Sequence, residues 1–254
     1  MSDEVLVEEQ DRVLVITINR PRARNAVNAA VATAVNAALE RLTERDDLLA
    51  GVLTGAGDTF CAGMDLKAFL RGETVSLPGL GLAGLTERRL TKPMIAAVEG
   101  YALAGGCELA LACDLIVAAD NAQFGIPEVK RGLVAAAGGL LRLPTRMPYQ
   151  LAMEYALTGD PFDATVAHRH GMVNRLTQRG RALTEAMALA RRITANAPLA
   201  VRVSKAVVSR APGWSEEVAF ERQRELVQPV FVSEDAREGA RAFAEKRDPV
   251  WRGK

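Results

Sequence analysis

Lys92-Pro93-Met94-Ile95-Ala96-Ala97-Val98-Glu99-Gly100-Tyr101-Ala102-Leu103-Ala104-Gly105-Gly106-Cys107-Glu108-Leu109-Ala110-Leu111-Ala112 is the stretch whose reading decides the fold. Pro93 opens a five-residue apolar run, Met94 to Val98, short enough and apolar enough for a strand covered on both faces. From Gly100 to Ala112 the chain starts with glycines and becomes helical. Glu108 stands inside the apolar part of that segment, where a charge is costly unless it has a purpose. A polar group beside glycine in an apolar setting suggests a place where backbone approaches a ligand closely.

Two further stretches of the same kind lie on either side. Downstream, Phe124-Gly125-Ile126-Pro127-Glu128 carries a second glutamate, and upstream lies Phe60-Cys61-Ala62-Gly63-Met64-Asp65-Leu66. Two carboxylates with free N–H groups nearby suit proton transfer to a substrate whose oxygen gains charge.

The surrounding pattern sets the class. Val5 to Val7 and Val13 to Ile18 read as a hairpin about Gln10-Asp11, and Arg20-Pro21 ends its second strand. From Asn28, Val31, Val35, Ala38, Leu39 and Leu42 recur at helical spacing. Gly51 to Thr54, Leu115 to Ala118 and Gln123 to Gly125 read as further short strands. Beyond about residue 140 the chain reads as helices throughout. Strands alternating with helices predict an α/β fold with a mainly parallel, buried sheet.

Composition excludes several classes. The 254 residues are 49% apolar and 25% charged, with a formal net charge of +1. No block of like charges points to nucleic acid or an anionic membrane surface. No apolar stretch is long enough to span a bilayer, and Met1-Ser2-Asp3-Glu4 lacks the apolar core of a signal peptide. Cys61, Cys107 and Cys113 are odd in number and read as reduced thiols of a cytoplasmic protein. His168 and His170 lie two apart and so point apart on a helix, which argues against a metal site.

The ordered set of motifs resembles the crotonase (enoyl-CoA hydratase/isomerase) superfamily. It comprises Asn19-Arg20-Pro21 with Asn25-Ala26, then 60–66, 92–102, Gly105 to Asp114 and 124–128. It continues through Ala137-Gly138-Gly139 and Leu157-Thr158-Gly159 to Arg237-Glu238-Gly239 and Glu245-Lys246-Arg247. It runs in order along nearly the whole chain.

This resemblance implies a crotonase-like spiral of ββα units over residues 1–195. It implies a helical C-terminal region over 196–254 for trimerisation and active-site cover, with trimers pairing into hexamers. Acyl-CoA thioesters are the implied substrates, with no cofactor beyond the coenzyme A they carry. The backbone N–H groups of Met64 and Gly105 would receive the thioester oxygen, and Glu108 and Glu128 would act as base and acid. Arg22, Ala23, Arg24, Ala62, Gly63, Asp65 and Leu66 fall in the implied binding segments, Asp65 as a cap that shapes the turn. Lys246 falls where a neighbouring subunit's CoA could be reached.

Retention of both glutamates favours hydration over the family's other reactions. The alternatives are an enoyl-CoA isomerase, a carnitinyl-CoA dehydratase-like activity suggested by Arg131 to Gly139, and a non-catalytic acyl-CoA binder. Met64 is larger than the small residue usual beside the oxyanion donor. Leu77-Pro78-Gly79-Leu80-Gly81-Leu82 is a candidate cover for an acyl chain.

Overall fold

A computed structural model of the chain describes residues 3–254. The sheet begins with the antiparallel hairpin β1 (Val5–Gln10) and β2 (Val13–Ile18), turned by Asp11 and Arg12, both at positive φ. Asn28 then caps α1 (Ala29–Glu44), its side chain accepting the Val31 N–H at 2.9 Å. The chain returns as β3 (Ala50–Gly55), followed by α2 (Leu66–Leu70) and the small hairpin β4 (Ser76–Leu77) and β5 (Gly81–Leu82).

Next come β6 (Met94–Val98), β7 (Tyr101–Leu103), α3 (Gly105–Ala112), β8 (Leu115–Ala119) and β9 (Gln123–Gly125). Helices α4 (Gly139–Arg146) and α5 (Tyr149–Thr158) precede β10 (Phe162–Asp163), α6 (Ala164–Arg169) and β11 (Arg175–Thr177). Helices α7 (Ala182–Thr194), α8 (Pro198–Arg210), α9 (Glu216–Phe231) and α10 (Glu234–Glu245) complete the chain.

Two sheets organise these elements. The larger has the order β1-β2-β3-β6-β8-β11, parallel everywhere except at the first hairpin. The smaller has the order β10-β9-β7. Each turn of the spiral places one strand in the larger sheet and then a short extended segment in the smaller layer. β6 runs into β7 and β8 into β9. β3 leads to Cys61, which bridges Ala102, and β2 leads to Val27, which bridges Met64.

Alternation along the strands divides the core. Leu14, Ile16, Leu53, Ala96 and Ile116 face one side, where the spiral's interior packs. Val13, Val15, Val52, Ile95 and Val117 face the other, where Ala182, Ala186, Met187 and Ala190 of α7 cover them. The Glu99 carboxylate fixes α7 to the sheet by accepting the N–H groups of Gly180 and Ala182 at 3.0 and 2.9 Å.

The structure corrects two expectations. The chain beyond residue 140 is not wholly helical: β10 pairs with β9, and β11 forms the last strand of the larger sheet beside β8. Both are short, and their pairing rather than their local sequence defines them. The strand β7 was also hidden, inside the glycine-bearing segment read as the approach to a helix. By contrast, β6 runs from Met94 to Val98 as the sequence indicates.

Lys92 is 3% exposed, and its ammonium donates to the carbonyls of Leu42 at 2.6 Å, Thr43 at 3.4 Å and Arg45 at 2.7 Å. It closes the C-terminal end of α1, where unpaired carbonyls favour a cation. Burial lowers its pKa, but the ring of carbonyls has use only for the ammonium form. Lys92→Met keeps the stem and removes the donors. It is expected to cost about 3 kcal/mol, from buried acceptors left unpaired. Thermal melts should show a fall of roughly 6–12 °C; an unchanged melt would contradict the role.

Candidate active site

The site is built where β7 turns into α3. Ala104 makes that turn at φ 52 and ψ −130, a conformation that L residues rarely adopt. The first N–H of α3, that of Gly105, has no acceptor within the helix. On the preceding turn of the spiral, Gly63 has φ +95. A Cβ on Gly63 would lie 2.7 Å from the Ala104 Cβ and 3.0 Å from the Gly105 nitrogen, so only glycine fits. A Cβ on Gly105 would in turn lie 3.6 Å from the Met64 nitrogen. The two N–H groups are therefore close neighbours. Among the described residues, neither donates a hydrogen bond.

Asp65 secures the Met64 side of this pair. Its carboxylate caps α2 by accepting the N–H groups of Lys67 and Ala68 at 3.0 and 3.2 Å, and Arg20 meets it at 3.0 Å. These contacts hold its carboxyl below the usual carboxylate range against the cost of partial burial. Asn25, fully buried, donates to the carbonyls of Ala56 and Thr59 and holds the loop after β3. Asp65 and Asn25 are thus part of the frame.

Met64, Gly105, Glu108 and Glu128 share the wall of one cavity of about 380 Å³. Glu108 lies on the first turn of α3 and is 3% exposed. Its Oε1 accepts the Gly139 N–H at 2.9 Å, at the start of α4. Burial pushes its carboxyl pKa up, while backbone groups at Gly139 and Ala137 and the Arg142 guanidinium oppose the rise. The bond to Gly139 fixes the orientation of the carboxylate in the cavity.

Glu128 sits in the 3-10 turn Pro127–Arg131. Its Oε2 is buried and has no hydrogen-bond partner among the described residues. Lys130, two residues further on, pairs with Asp160 at 2.5 Å. Burial, joined by the neighbouring Glu108 charge, pushes the Glu128 carboxyl up to about 6. Two carboxyls with raised affinity for protons in one cleft form an arrangement suited to acid–base chemistry.

The remaining sequence candidates divide. Ala62, Leu66 and Arg24 line the cavity, and the Ala62 N–H bonds the Arg24 carbonyl at 3.0 Å. Gly63 and Asp65 stand behind that wall. Arg22 and Ala23, in the 3-10 turn Pro21–Ala23, lie off it. So does Lys246, exposed at the left-handed end of α10. The segment 77–82 forms the β4–β5 hairpin, whose Leu82 is buried against the site. His168 Nδ1 lies 2.9 Å from the Val173 carbonyl, closing the end of α6. Burial pushes the Cys61 and Cys107 thiols up to about 12, which leaves them protonated and inert.

Sequence reasoning missed the Gly139 N–H, Glu87 on the cavity wall and Arg142 behind it. The first is a backbone group, and its only trace is Gly138-Gly139. The other two depend on how the hairpin and α4 meet.

Comparisons with known proteins identify the family. The enoyl-CoA hydratase/isomerase family profile matches residues 8–254. Enoyl-CoA hydratase EchA19 of Mycobacterium tuberculosis is 42% identical over 97% of this chain and 95% of its own. A carnitinyl-CoA dehydratase of Salmonella paratyphi B is 41% identical over the whole of both chains. The crystal structure of enoyl-CoA hydratase EchA1 from Mycobacterium marinum superposes with a TM-score of 0.98 at 60% identity, covering 100% of both chains. With its spiral of paired sheets and a family match along nearly its full length, the chain belongs to the enoyl-CoA hydratase/isomerase family of the crotonase superfamily.

Proposed function

We propose that the protein is a hydro-lyase that reversibly adds water across the 2-trans double bond of an acyl-CoA thioester. The observation that carries this reading is the meeting of two proton-avid carboxyls and two unspent N–H groups in one cavity. The thioester oxygen accepts from the Met64 and Gly105 N–H groups, the latter at the favourable end of α3. Glu108 takes a proton from water as its oxygen bonds to C3. The π electrons move toward the carbonyl, and the enolate-like charge that forms is held by the two donors. Glu128 gives its proton to C2, and the carbonyl re-forms.

We assign to Arg24, on the cavity wall, the role of meeting a phosphate at the CoA end of the substrate, with Arg22 and Ala23 in the adjoining turn. The assembly we propose is a trimer or a pair of trimers. Its support is the bare surface of α8 and α9, where Pro198 is the only buried residue, and the exposed Phe220, Phe231 and Phe243. Lys246 would then lie near a neighbouring subunit's site. Relatives named for plain enoyl and for carnitinyl thioesters leave the acyl group to be decided by the cavity itself.

Isomerisation is the second reading. It is favoured by the Glu128 oxygen without a partner, since one such carboxyl can shuttle a proton between carbons. Absorbance of the conjugated thioester separates the readings. Crotonyl-CoA should lose its absorbance as water adds. A gain from a 3-enoyl-CoA without loss from the 2-enoyl compound would establish the isomerase instead. Tight binding with no change in either would leave only an acyl-CoA binder.

A further inference from the structure

Behind the cavity wall stands a half-buried cation that the reaction scheme above leaves without a role. Arg142, on α4, does not line the cavity and so does not reach the substrate. Its guanidinium bonds to two carbonyls: Nη2 donates to Thr86, and Nη1 donates to Ala137 at 3.4 Å. Among the described residues it forms no ion pair.

The two carbonyls belong to different parts of the site. Thr86, 1% exposed, follows β5, and its hydroxyl accepts the Leu82 N–H at 2.9 Å. Ala137 opens the turn Ala137-Gly138-Gly139, whose Gly139 N–H holds Glu108 Oε1 at 2.9 Å. Gly138 has φ +98, and a Cβ there would lie 2.1 Å from Arg142 Nη1, so only glycine lets the guanidinium fold back on the turn. A Cβ on Gly139 would meet Glu108 Cγ and Oε1, each at 3.1 Å. Guanidinium, turn and carboxylate are thus packed in series, and a shift of the turn reaches Glu108.

A lock between two carbonyls needs donors, not a charge. The charge here is costly, since burial and the neighbouring Arg146 both disfavour it. Glu108 gains from it. Burial favours the neutral form of that carboxyl, whereas a base must be ionised, and Arg142 favours the ionised form. The other charged groups about the cavity are Glu128 and Arg131 on the 3-10 turn, Glu87 after β5, and Arg24. Of the cations, Arg142 is the one whose charge acts on Glu108. We propose that Arg142 is a positioning residue: it locks the turn that orients Glu108 and sets a fixed positive charge behind that carboxylate, keeping it ready to take a proton from water. This rests on the hydratase reading above.

The test separates fork from charge. Arg142→Met removes both, and Arg142→Lys keeps the charge alone. Arg142→Gln, neutral but still a donor, replaces Arg142→Met if circular dichroism shows that variant unfolded. With crotonyl-CoA the neutral variant should lose kcat about tenfold while KM moves less than about threefold. The acidic limb of its kcat/KM profile should move to higher pH, because the base is protonated over a wider range. Arg142→Lys should return that limb to its wild-type place and recover part of kcat. A limb unmoved in the neutral variant, or displaced as far in Arg142→Lys, overturns the inference while hydration stands. Carbon-13 NMR of labelled glutamate, with the Glu108 signal assigned through Glu108→Gln, repeats the comparison without substrate. That titration should move up in the neutral variant and stay in place in Arg142→Lys. Failure of the wild type to hydrate crotonyl-CoA overturns the hydratase reading, and the substrate-free titration then decides separately whether Arg142 governs Glu108.

Discussion

Glu108→Gln and Glu128→Gln are each expected to lower turnover of a 2-enoyl-CoA by a factor of about 10² or more, because each removes a positioned acid or base. Both should fold. Gln at 108 can still accept the Gly139 N–H through its amide oxygen, and Gln at 128 occupies the same space. Near-normal turnover in both proteins would dispose of the assignment.

Glu128→Gln carries a second, opposite consequence. The folded protein holds the Glu128 proton up to about pH 6, against an ordinary value of 4.5. The native state therefore binds that proton more tightly than the unfolded chain does. Its contribution to stability is full below about pH 4.5 and is lost as pH rises through about 6. At pH 7.5 the buried charge weighs on the wild type and is absent from Glu128→Gln. The variant should melt higher there, and the gap should close as pH falls toward 4.5. Melting curves at several pH values check the sign. A stabilised but inactive protein is the signature of a site shaped for chemistry rather than for stability.

The second large effect concerns backbone. Gly105→Pro deletes one oxyanion donor and should reduce turnover by about 10²–10³, with circular dichroism needed because proline also restricts Ala104. Gly105→Ala keeps the donor. Its new methyl presses on the end of the Leu82 side chain, which can shift, so activity should persist. Met64→Ala also keeps its N–H and widens the cavity, and should change acyl preference more than peak rate. A folded Gly105→Pro enzyme of normal activity would refute the oxyanion assignment. So would Gly105→Ala being as inactive as Gly105→Pro.

Much of this was legible in the chain, for identifiable reasons. Met94 to Val98 and Leu115 to Ala119 are buried on both faces, so continuous apolar runs mark them. α1 announces itself through Asn28 and its helical spacing. Glu108 stands out because a charge interrupts an apolar helix, and Gly63 and Gly105 because backbone must pass close to backbone. What stayed hidden depends on partners distant in sequence. β11 is three half-buried residues that become a strand only beside β8. Lys92 reads as an ordinary surface lysine until the end of α1 closes over it.

Met64 and Gly105, the proposed oxyanion donors, ride on consecutive turns of the spiral that are fastened directly to each other. Cys61 N–H bonds the Tyr101 carbonyl at 2.9 Å, Leu103 N–H returns to Cys61 at 3.0 Å, and Ala104 N–H reaches Gly125 at 2.9 Å. Leu82, on the cavity wall, belongs to a separate two-stranded hairpin outside those sheets. The donor pair and the hairpin wall thus rest on different hydrogen-bonded sheets, joined only by packing in the shared core. Substitutions in the hairpin can accumulate without disturbing the interval between the donors. A lineage built on this frame can exchange one acyl group for another while its bond-making machinery is inherited unchanged.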